Sequence, residues 1–168
     1  MIACIGCRAQ VGEANGDGPE HAYVGASPGC WAIFGEVRAR EYSLPGYAAV
    51  GHRLTTDAYM VQHPGVEGRQ SSQSVWVHLL GLYLVLEGGL TPQDATAASA
   101  KLLAHDPSFR WLTPPADPGA VTIVDVAAAQ DAEAHVATVR RWADVVWQSW
   151  APEHASVRAL AESFSRSR

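Results

Sequence analysis

Residues 131–150 read DAEAHVATVRRWADVVWQSW, and this stretch decides the fold class. In a helix, five of its side chains would share one face, because they recur every three or four residues: His135, Val139, Trp142, Val146 and Trp150. Four of the five are apolar. The stretch is therefore predicted to form a long amphipathic helix that buries this face and carries His135 inward with it.

Proline, glycine and capping residues divide the rest of the chain into further helices. Serine before proline is typical of a helix start, and Pro-Gly or Gly-Gly pairs are typical of helix ends. The helices predicted on this basis cover residues 27–42, 47–63, 71–87, 92–105 and 152–164. Residues 121–126, VTIVDV, are rich in β-branched side chains and are interpreted as a short strand or an extended connector packed on the helices.

These elements predict a mostly α fold with a single domain over residues 1–168. Residues 29–168 would form a bundle of about five or six helices. Residues 1–28 are rich in glycine, proline and aspartate, show no apolar periodicity and cannot form a core of their own. We expect them to be a loop segment that a metal ion attaches to the bundle.

The composition excludes several classes of function. The chain has 168 residues, 48% hydrophobic and 17% charged, with a net charge of −5 and Lys101 as its single lysine. No nucleic-acid partner is expected of so acidic a chain. The longest apolar run is too short to cross a bilayer and the first residues lack a secretory pattern, so we expect no membrane partner and a cytoplasmic location. A small-molecule ligand and a homo-oligomer are both compatible with these properties.

Three cysteines lie in the first fifth of the chain. Cys4 and Cys7 form a Cys-x2-Cys pair, which can present two thiolates to one metal ion, and Cys30 lies at the start of the first long helix. His21 would be the fourth ligand of a structural zinc site. Three free cysteines and a redox-active pair are the alternatives, the latter without the βαβ pattern that usually surrounds one.

Histidines occupy the inward faces of three predicted helices. His52 and His63 share a stripe with Thr56 and Tyr59, while His78 and His135 lie on apolar faces of their own helices. Histidines from facing helices can hold a catalytic metal, so His52, His78 and His135 could bind a second divalent ion or act as acid and base. The alternative is that each is a hydrogen-bonded core residue.

Other polar residues near these histidines have simpler expected roles. Asp57 lies off the His52 stripe and is expected to support another side chain or to pair with a nearby arginine. His105 and His154 lie near helix ends and are expected to be solvated.

A polar run, RQSSQS at residues 69–74, begins the third predicted helix. Free N–H groups at a helix start, together with short polar side chains and an arginine, can bind an anion or the polar end of a ligand. The residues expected to bind a substrate here and in the histidine pocket are Tyr59, Arg69, Gln70 and Ser74. His63 is expected to join His52, His78 and His135 as a catalytic residue that also orients the substrate. A capped helix start next to a solvated loop is the alternative.

Two functions follow from these patterns. The first is a metal-dependent hydrolase, transferase or isomerase acting on a small molecule through the histidine-lined pocket. The second is a non-catalytic, zinc-stabilised binding module whose exposed tryptophans, Trp147 above all, contact a partner.

The sequence resembles a small bacterial family of unknown function over nearly its whole length. The motifs that carry the resemblance are CIGC at 4–7, GASPGCWA at 25–32, FGEVRAREY at 34–42, HRLTTDAY at 52–59, VQHPG at 61–65, RQS at 69–71, QSV at 73–75, VHL at 77–79 and VRRWA at 139–143. Members of that family typically begin with a Cys-Pro-Gly-Cys knuckle. This chain has Ile5 in place of the proline, which leaves the ligands intact. The resemblance implies membership and brings no established reaction with it.

Overall fold

The computed structural model describes residues 1–12, 23–47, 52–104 and 108–165. These residues form a mostly helical protein, as the sequence predicts. Residues 2–11, which were expected to be part of a loop segment, contain one small antiparallel hairpin. In chain order the elements are β1 (Ile2–Ala3), β2 (Gln10–Val11), α1 (Pro28–Ser43), α2 (Arg53–Gln62), α3 (Arg69–Leu86), α4 (Pro92–Leu103), α5 (Ile123–Ala127), α6 (Ala132–Ser149), a 3-10 turn (Ala151–Glu153) and α7 (His154–Ser165). Among these helices, none has both the length and the apolar character needed to cross a membrane.

The core lies between α2, α3 and α6. Helix α2 packs against both of the others, while α1 packs against α5, and α3 also contacts α4 and α7. The face of α6 that the sequence predicts to be inward is buried, His135 included. Two of its tryptophans also use their N–H groups: Trp142 donates to Gln62 Oε1 over 3.0 Å, and Trp150 donates to the carbonyl of Val61 over 3.1 Å. These bonds fix the rings of α6 against the end of α2.

The hairpin at the N-terminus is too small to be stable alone. Its strands pair Ile2 with Val11 and Ala3 with Gln10, and the Cys4 N–H donates to the carbonyl of Ala9 over 2.8 Å. An isolated two-stranded hairpin, even a longer one, is at best marginally stable in water. The hairpin therefore depends on the contacts that its turn makes with the helices.

Two predicted elements differ from the observed ones. The second helix was predicted over residues 47–63, but α2 begins at Arg53, after His52 adopts a left-handed conformation with φ of 50°. Residues 48–51 of the predicted helix lie outside the described residues. Residues 121–126 were predicted to be extended, but most of them form α5. Thr122 accepts a hydrogen bond from the Val124 N–H, and Asp125 accepts one from the Thr122 N–H. This capping box starts a helix despite the β-branched side chains that follow.

Trp147 is not the exposed partner residue that we expected. It is 1% exposed, and its N–H donates to Glu87 Oε1 over 2.9 Å. Its ring stacks on His154 at 3.7 Å, and His154, predicted to be solvated, is buried and donates from Nε2 to the Trp147 carbonyl. All six tryptophans lie in the described ranges and none is exposed. The expectation of an interface of exposed tryptophans was wrong.

Candidate metal centre

Four buried side chains from three separate parts of the fold converge on one point. Cys4 and Cys7 come from the hairpin turn, Cys30 from the first turn of α1, and His63 from the residue that ends α2. Their ligand atoms all lie within 4.8 Å of one another, and none of the four residues is more than 3% exposed. Within the described residues, this is the one group of at least three potential ligands that meets such a spacing.

The distances inside the group fit a tetrahedral metal. Cys7 Sγ lies 3.8 Å from Cys30 Sγ, and Cys30 Sγ lies 3.4 Å from His63 Nε2. A tetrahedral zinc ion, with Zn–S bonds of about 2.3 Å and Zn–N bonds of about 2.0 Å, holds its ligand atoms about 3.5 to 3.8 Å apart. Three thiolates and one imidazole also form one of the usual ligand sets of structural zinc. The donor set and its spacing therefore both fit this ion.

Neighbouring groups orient the ligands. His63 Nδ1 lies 2.8 Å from the carbonyl of Tyr59, which can only accept, so Nδ1 carries a proton. Nε2 is then the nitrogen that faces the cysteines, and it can bind an ion once it has released its own proton. The Tyr59 hydroxyl donates to Cys30 Sγ over 3.6 Å, and the Ser27 N–H donates to Cys4 Sγ over 3.4 Å. Donors of this kind stabilise negative charge on the sulfur atoms.

Gly6 lets the hairpin turn approach α2 closely. A Cβ atom at this position would lie 2.5 Å from the carbonyl oxygen of Gly25 and 2.5 Å from His63 Cδ2. The same region is fixed by a 3.1 Å hydrogen bond from the Gly25 N–H to the His63 carbonyl. The turn therefore needs a glycine here because no space is left for a side chain. Ile5 beside it is exposed, in keeping with a substitution that leaves the ligands intact.

Without a bound ion, the members of the group differ in how strongly each holds its proton, that is, in pKa. Hydrogen bonds from Cys30 and Cys7 lower the pKa of Cys4. The pKa of Cys30 is raised instead, because Cys30 is hydrogen-bonded to Cys4 and Cys7. Burial alone would lower the pKa of His63, but its contacts with Cys4 and Cys7 outweigh this effect and raise the pKa to about 9. A metal ion must therefore displace protons from this group in order to bind.

The fourth member of the group, His63, was not predicted to be a metal ligand. His63 was expected in a catalytic pocket, and Tyr59 in substrate binding; both lie at this centre instead, with their rings stacked at 4.1 Å. His21, expected to be the fourth ligand, lies outside the described residues, as does His105. One feature of the sequence could have indicated His63 as a ligand: it lies at the end of a predicted helix. There Nδ1 can donate to a carbonyl of the preceding turn, and Nε2 remains available to bind a metal ion.

The structure brings two of the three inward histidines together on a carboxylate. His135 Nε2 lies 3.0 Å from Glu41 Oε1, and His52 Nδ1 lies 3.3 Å from Glu41 Oε2. Thr55 also donates to Glu41, whose side chain is fully buried. Sequence reasoning missed Glu41, although it continues the buried face of α1 after Phe34 and Val37. A carboxylate on an otherwise apolar stripe was the available signal.

His78 lies on a different carboxylate. Its Nδ1 donates to Asp57 Oδ1 over 2.7 Å, and Arg53 Nε donates to Asp57 Oδ2 over 2.6 Å, so the expected pairing of Asp57 with an arginine is confirmed. Arg53 also donates to the Ser99 hydroxyl over 2.9 Å. The predicted trio of His52, His78 and His135 is thus divided between two carboxylates, and in the described ranges it does not form a group with metal-ligand spacing.

The remaining predicted substrate-binding residues lie at the start of α3. Arg69 lines a cavity there, together with Ser72 and Gln73. Gln70 is exposed and Ser74 is half-buried, and neither lines that cavity.

These features define a helical protein whose N-terminal hairpin meets its bundle at a buried group of three cysteines and one histidine. The chain matches the model of a family of unknown function, DUF5946, over residues 2–151, and it belongs to that family. No curated protein and no solved structure matches it significantly.

Proposed function

We propose that Cys4, Cys7, Cys30 and His63 bind one zinc ion with a structural role, and that the protein is a zinc-stabilised helical binding module. The observation that carries this proposal is the closed donor set. Structural zinc sites have four protein ligands, whereas catalytic sites keep one position open for water or substrate. Here four protein donors are available and all are buried, so an ion at their centre has no open position facing solvent.

The position of the group explains what the ion would stabilise. The hairpin supplies two ligands, while α1 and α2 supply one each, so the ion would join residues 1–12 to the bundle. Zinc binding to sites of this type releases about 10 kcal/mol or more, which can replace the core that this segment lacks. The ion would thus supply folding free energy, and chemistry on a substrate would lie elsewhere.

Elemental analysis of protein purified without a metal-binding tag tests the proposal. We expect about one zinc per chain, retained through dialysis and released on denaturation or by a strong chelator. Cys7→Ser should lose the ion, whereas His78→Ala, which removes a histidine outside the group, should retain it. The proposal would be contradicted if the purified wild-type protein contained no zinc. It would also be contradicted if Cys7→Ser and His78→Ala retained the same amount of zinc.

Hydrogen exchange provides a readout that does not depend on a variant that folds poorly. When a chelator removes zinc from the wild-type protein, the Cys4 amide should lose protection, because its hydrogen bond to Ala9 lies within the hairpin. The Trp150 side-chain N–H, which is bonded to Val61 in the core, should stay protected longer. Equal protection of the Cys4 amide with and without zinc would refute a structural role.

A metal-dependent or acid–base enzyme is the second candidate, and one observation favours it. Asp57 accepts from His78 Nδ1, and no described residue is a partner of His78 Nε2, so this nitrogen could accept a substrate proton. The metal version requires a second, exchangeable divalent ion that depends on His52 and His135. Titration of zinc-loaded protein with Mn²⁺, Co²⁺ and Ni²⁺ separates the candidates: saturable binding of a second ion favours the metal-dependent enzyme, and its absence rejects that version.

A further inference from the structure

A cavity of about 710 Å³ lies where the hairpin turn meets the end of α2. Its volume falls within the range of small-molecule sites. Four stretches of the chain contribute to its walls, namely residues 5–8, 24–26, 61–66 and 114–118. The cavity adjoins the metal centre through Gly6 and Gly25, but none of the four metal-centre residues lines it.

The walls of this cavity are mostly apolar and rigid. Val24, Val61 and four prolines line it, the prolines being Pro64, Pro114, Pro115 and Pro118. Because a proline ring fixes φ, walls of this kind are largely formed before a ligand arrives. Ile5 and Val66 also line the cavity and are 78% and 72% exposed. A ligand with an apolar part would remove these side chains from water.

Arg8 is the one charged side chain that the described residues place at this cavity. Its Nη2 donates to the carbonyl of Ala116 over 2.6 Å, so the guanidinium extends from the hairpin turn to the wall formed by residues 114–118. In the described part of the chain no carboxylate pairs with Arg8, and its other N–H groups have no acceptor there. The cavity therefore combines apolar walls with one uncompensated positive charge.

The hairpin turn fixes the position of Arg8. Its backbone is left-handed, with φ of 64°, and its N–H donates to the carbonyl of Cys4 over 2.9 Å. Side chains other than glycine adopt this conformation rarely and at some cost in free energy. A metal ion bound by Cys4 and Cys7 would hold this turn, and with it the guanidinium, against the bundle.

The charge and the walls together indicate the ligand. A guanidinium binds a carboxylate through two parallel hydrogen bonds, and its single positive charge matches the single negative charge of that group. We propose that this cavity binds a small amphipathic carboxylate, with the carboxylate on Arg8 and the apolar part against the valine and proline side chains. The proposal rests on the proposed function, since the zinc ion would hold one wall of the site, and it supplies the binding module with a ligand.

Calorimetric and NMR titrations of the zinc-loaded protein at constant ionic strength test this site. Octanoate has both features of the ligand, whereas acetate lacks the hydrocarbon chain and octan-1-ol lacks the charge. Octanoate should bind saturably and shift the amides of Gly6, Arg8 and Val66. Acetate should bind about a hundredfold more weakly, because it buries little apolar surface, and octan-1-ol about tenfold more weakly, because it forms no ion pair. Equal affinity for octanoate and octan-1-ol, or no saturable binding of octanoate, would overturn the proposal.

Two arginines provide a matched pair of variants. Arg8→Gln removes the charge at the cavity but keeps a donor for the Ala116 carbonyl, while Arg141→Gln removes the charge of an exposed arginine that does not line the cavity. Arg8→Gln should weaken octanoate binding by about tenfold and leave octan-1-ol binding within about twofold. Arg141→Gln should leave both within about twofold, since salt screens charges outside the site. Equal effects of the two substitutions on octanoate binding would overturn the role of Arg8.

Elemental analysis of the same samples separates this proposal from the zinc proposal. About one zinc per chain without saturable octanoate binding would refute the carboxylate site alone. Saturable octanoate binding that depends on Arg8, in protein that contains no zinc, would support the carboxylate site and refute the zinc site alone.

Discussion

Replacing Gly6 with alanine should weaken metal binding without removing a ligand. The added methyl would lie 2.5 Å from the Gly25 carbonyl oxygen and 2.5 Å from His63 Cδ2. An ordinary contact requires about 3.4 Å, so the hairpin turn and His63 must separate by about 0.9 Å. Because His63 is a ligand and Gly6 lies between Cys4 and Cys7, that separation would pull the donor set apart.

The cost can be bounded from the same contacts. Overpacking of a close interior contact costs about 1 to 3 kcal/mol. If most of this strain acts on the metal-bound form, zinc affinity should fall by about fivefold to a hundredfold, since about 1.4 kcal/mol corresponds to each factor of ten. The ligands remain present, so the stoichiometry should stay at one ion per chain when zinc is in excess.

Competition with a chelator of known affinity measures this effect. Gly35→Ala is the matched control, since a Cβ there meets nothing within 4 Å and the residue lies in the middle of α1. The control should keep wild-type zinc affinity and gain about 0.5 to 1 kcal/mol of stability, because alanine is the better helix former. Equal zinc affinity of Gly6→Ala and wild type would refute the close-packed geometry described for this centre.

Three further predictions concern the rest of the fold. Gly81→Ala should lower the free energy of unfolding by about 2 kcal/mol or more, because a methyl there would overlap the buried Asp57 carboxylate; an unchanged urea midpoint would contradict that. Glu41→Ala should cost about 3 kcal/mol by urea denaturation, since it leaves a buried histidine without its acceptor, and a loss near zero would mean that Glu41 is not needed there. A hydrogen bond from Arg158 holds the pKa of Glu87 below its ordinary value. The stabilisation is therefore present above the ordinary pKa and lost as the pH falls through the lowered one. Glu87→Gln should then be slightly less stable than wild type at neutral pH, with the difference vanishing in acid; a constant difference across pH would exclude this linkage.

The sequence predicted the helices well where local signals define them. Pro28, Pro64 and Pro92 lie at or near the observed helix boundaries, and the spacing of the apolar residues in 131–150 gave the buried face of α6. These features depend on backbone sterics and on periodicity, which act over a few residues. Thr122 and Asp125 carried a local signal too, the capping box of α5, but the β-branched residues beside it were given more weight.

The site required information that no local pattern contains. Cys4, Cys7 and Cys30 could be chosen from their spacing and side-chain chemistry. His63 joins them only because α2 ends where the hairpin turn packs, a long-range contact that Gly6 permits. The burial of Trp147 could not be predicted from local pattern either. Helical periodicity places Trp147 outside the main buried face of α6, but His154 stacks on its ring and Glu87 accepts from its N–H, and both contacts come from distant parts of the fold.

X-ray absorption at the zinc edge of tag-free protein would identify the atoms bound to the ion. We expect about one zinc per chain with a first shell of three sulfur atoms at about 2.3 Å and one nitrogen at about 2.0 to 2.1 Å. His63→Ala should lose the nitrogen contribution while the sulfur contribution remains. A first shell composed mainly of oxygen and nitrogen, or the same nitrogen contribution after His63 is replaced, would contradict this ligand set.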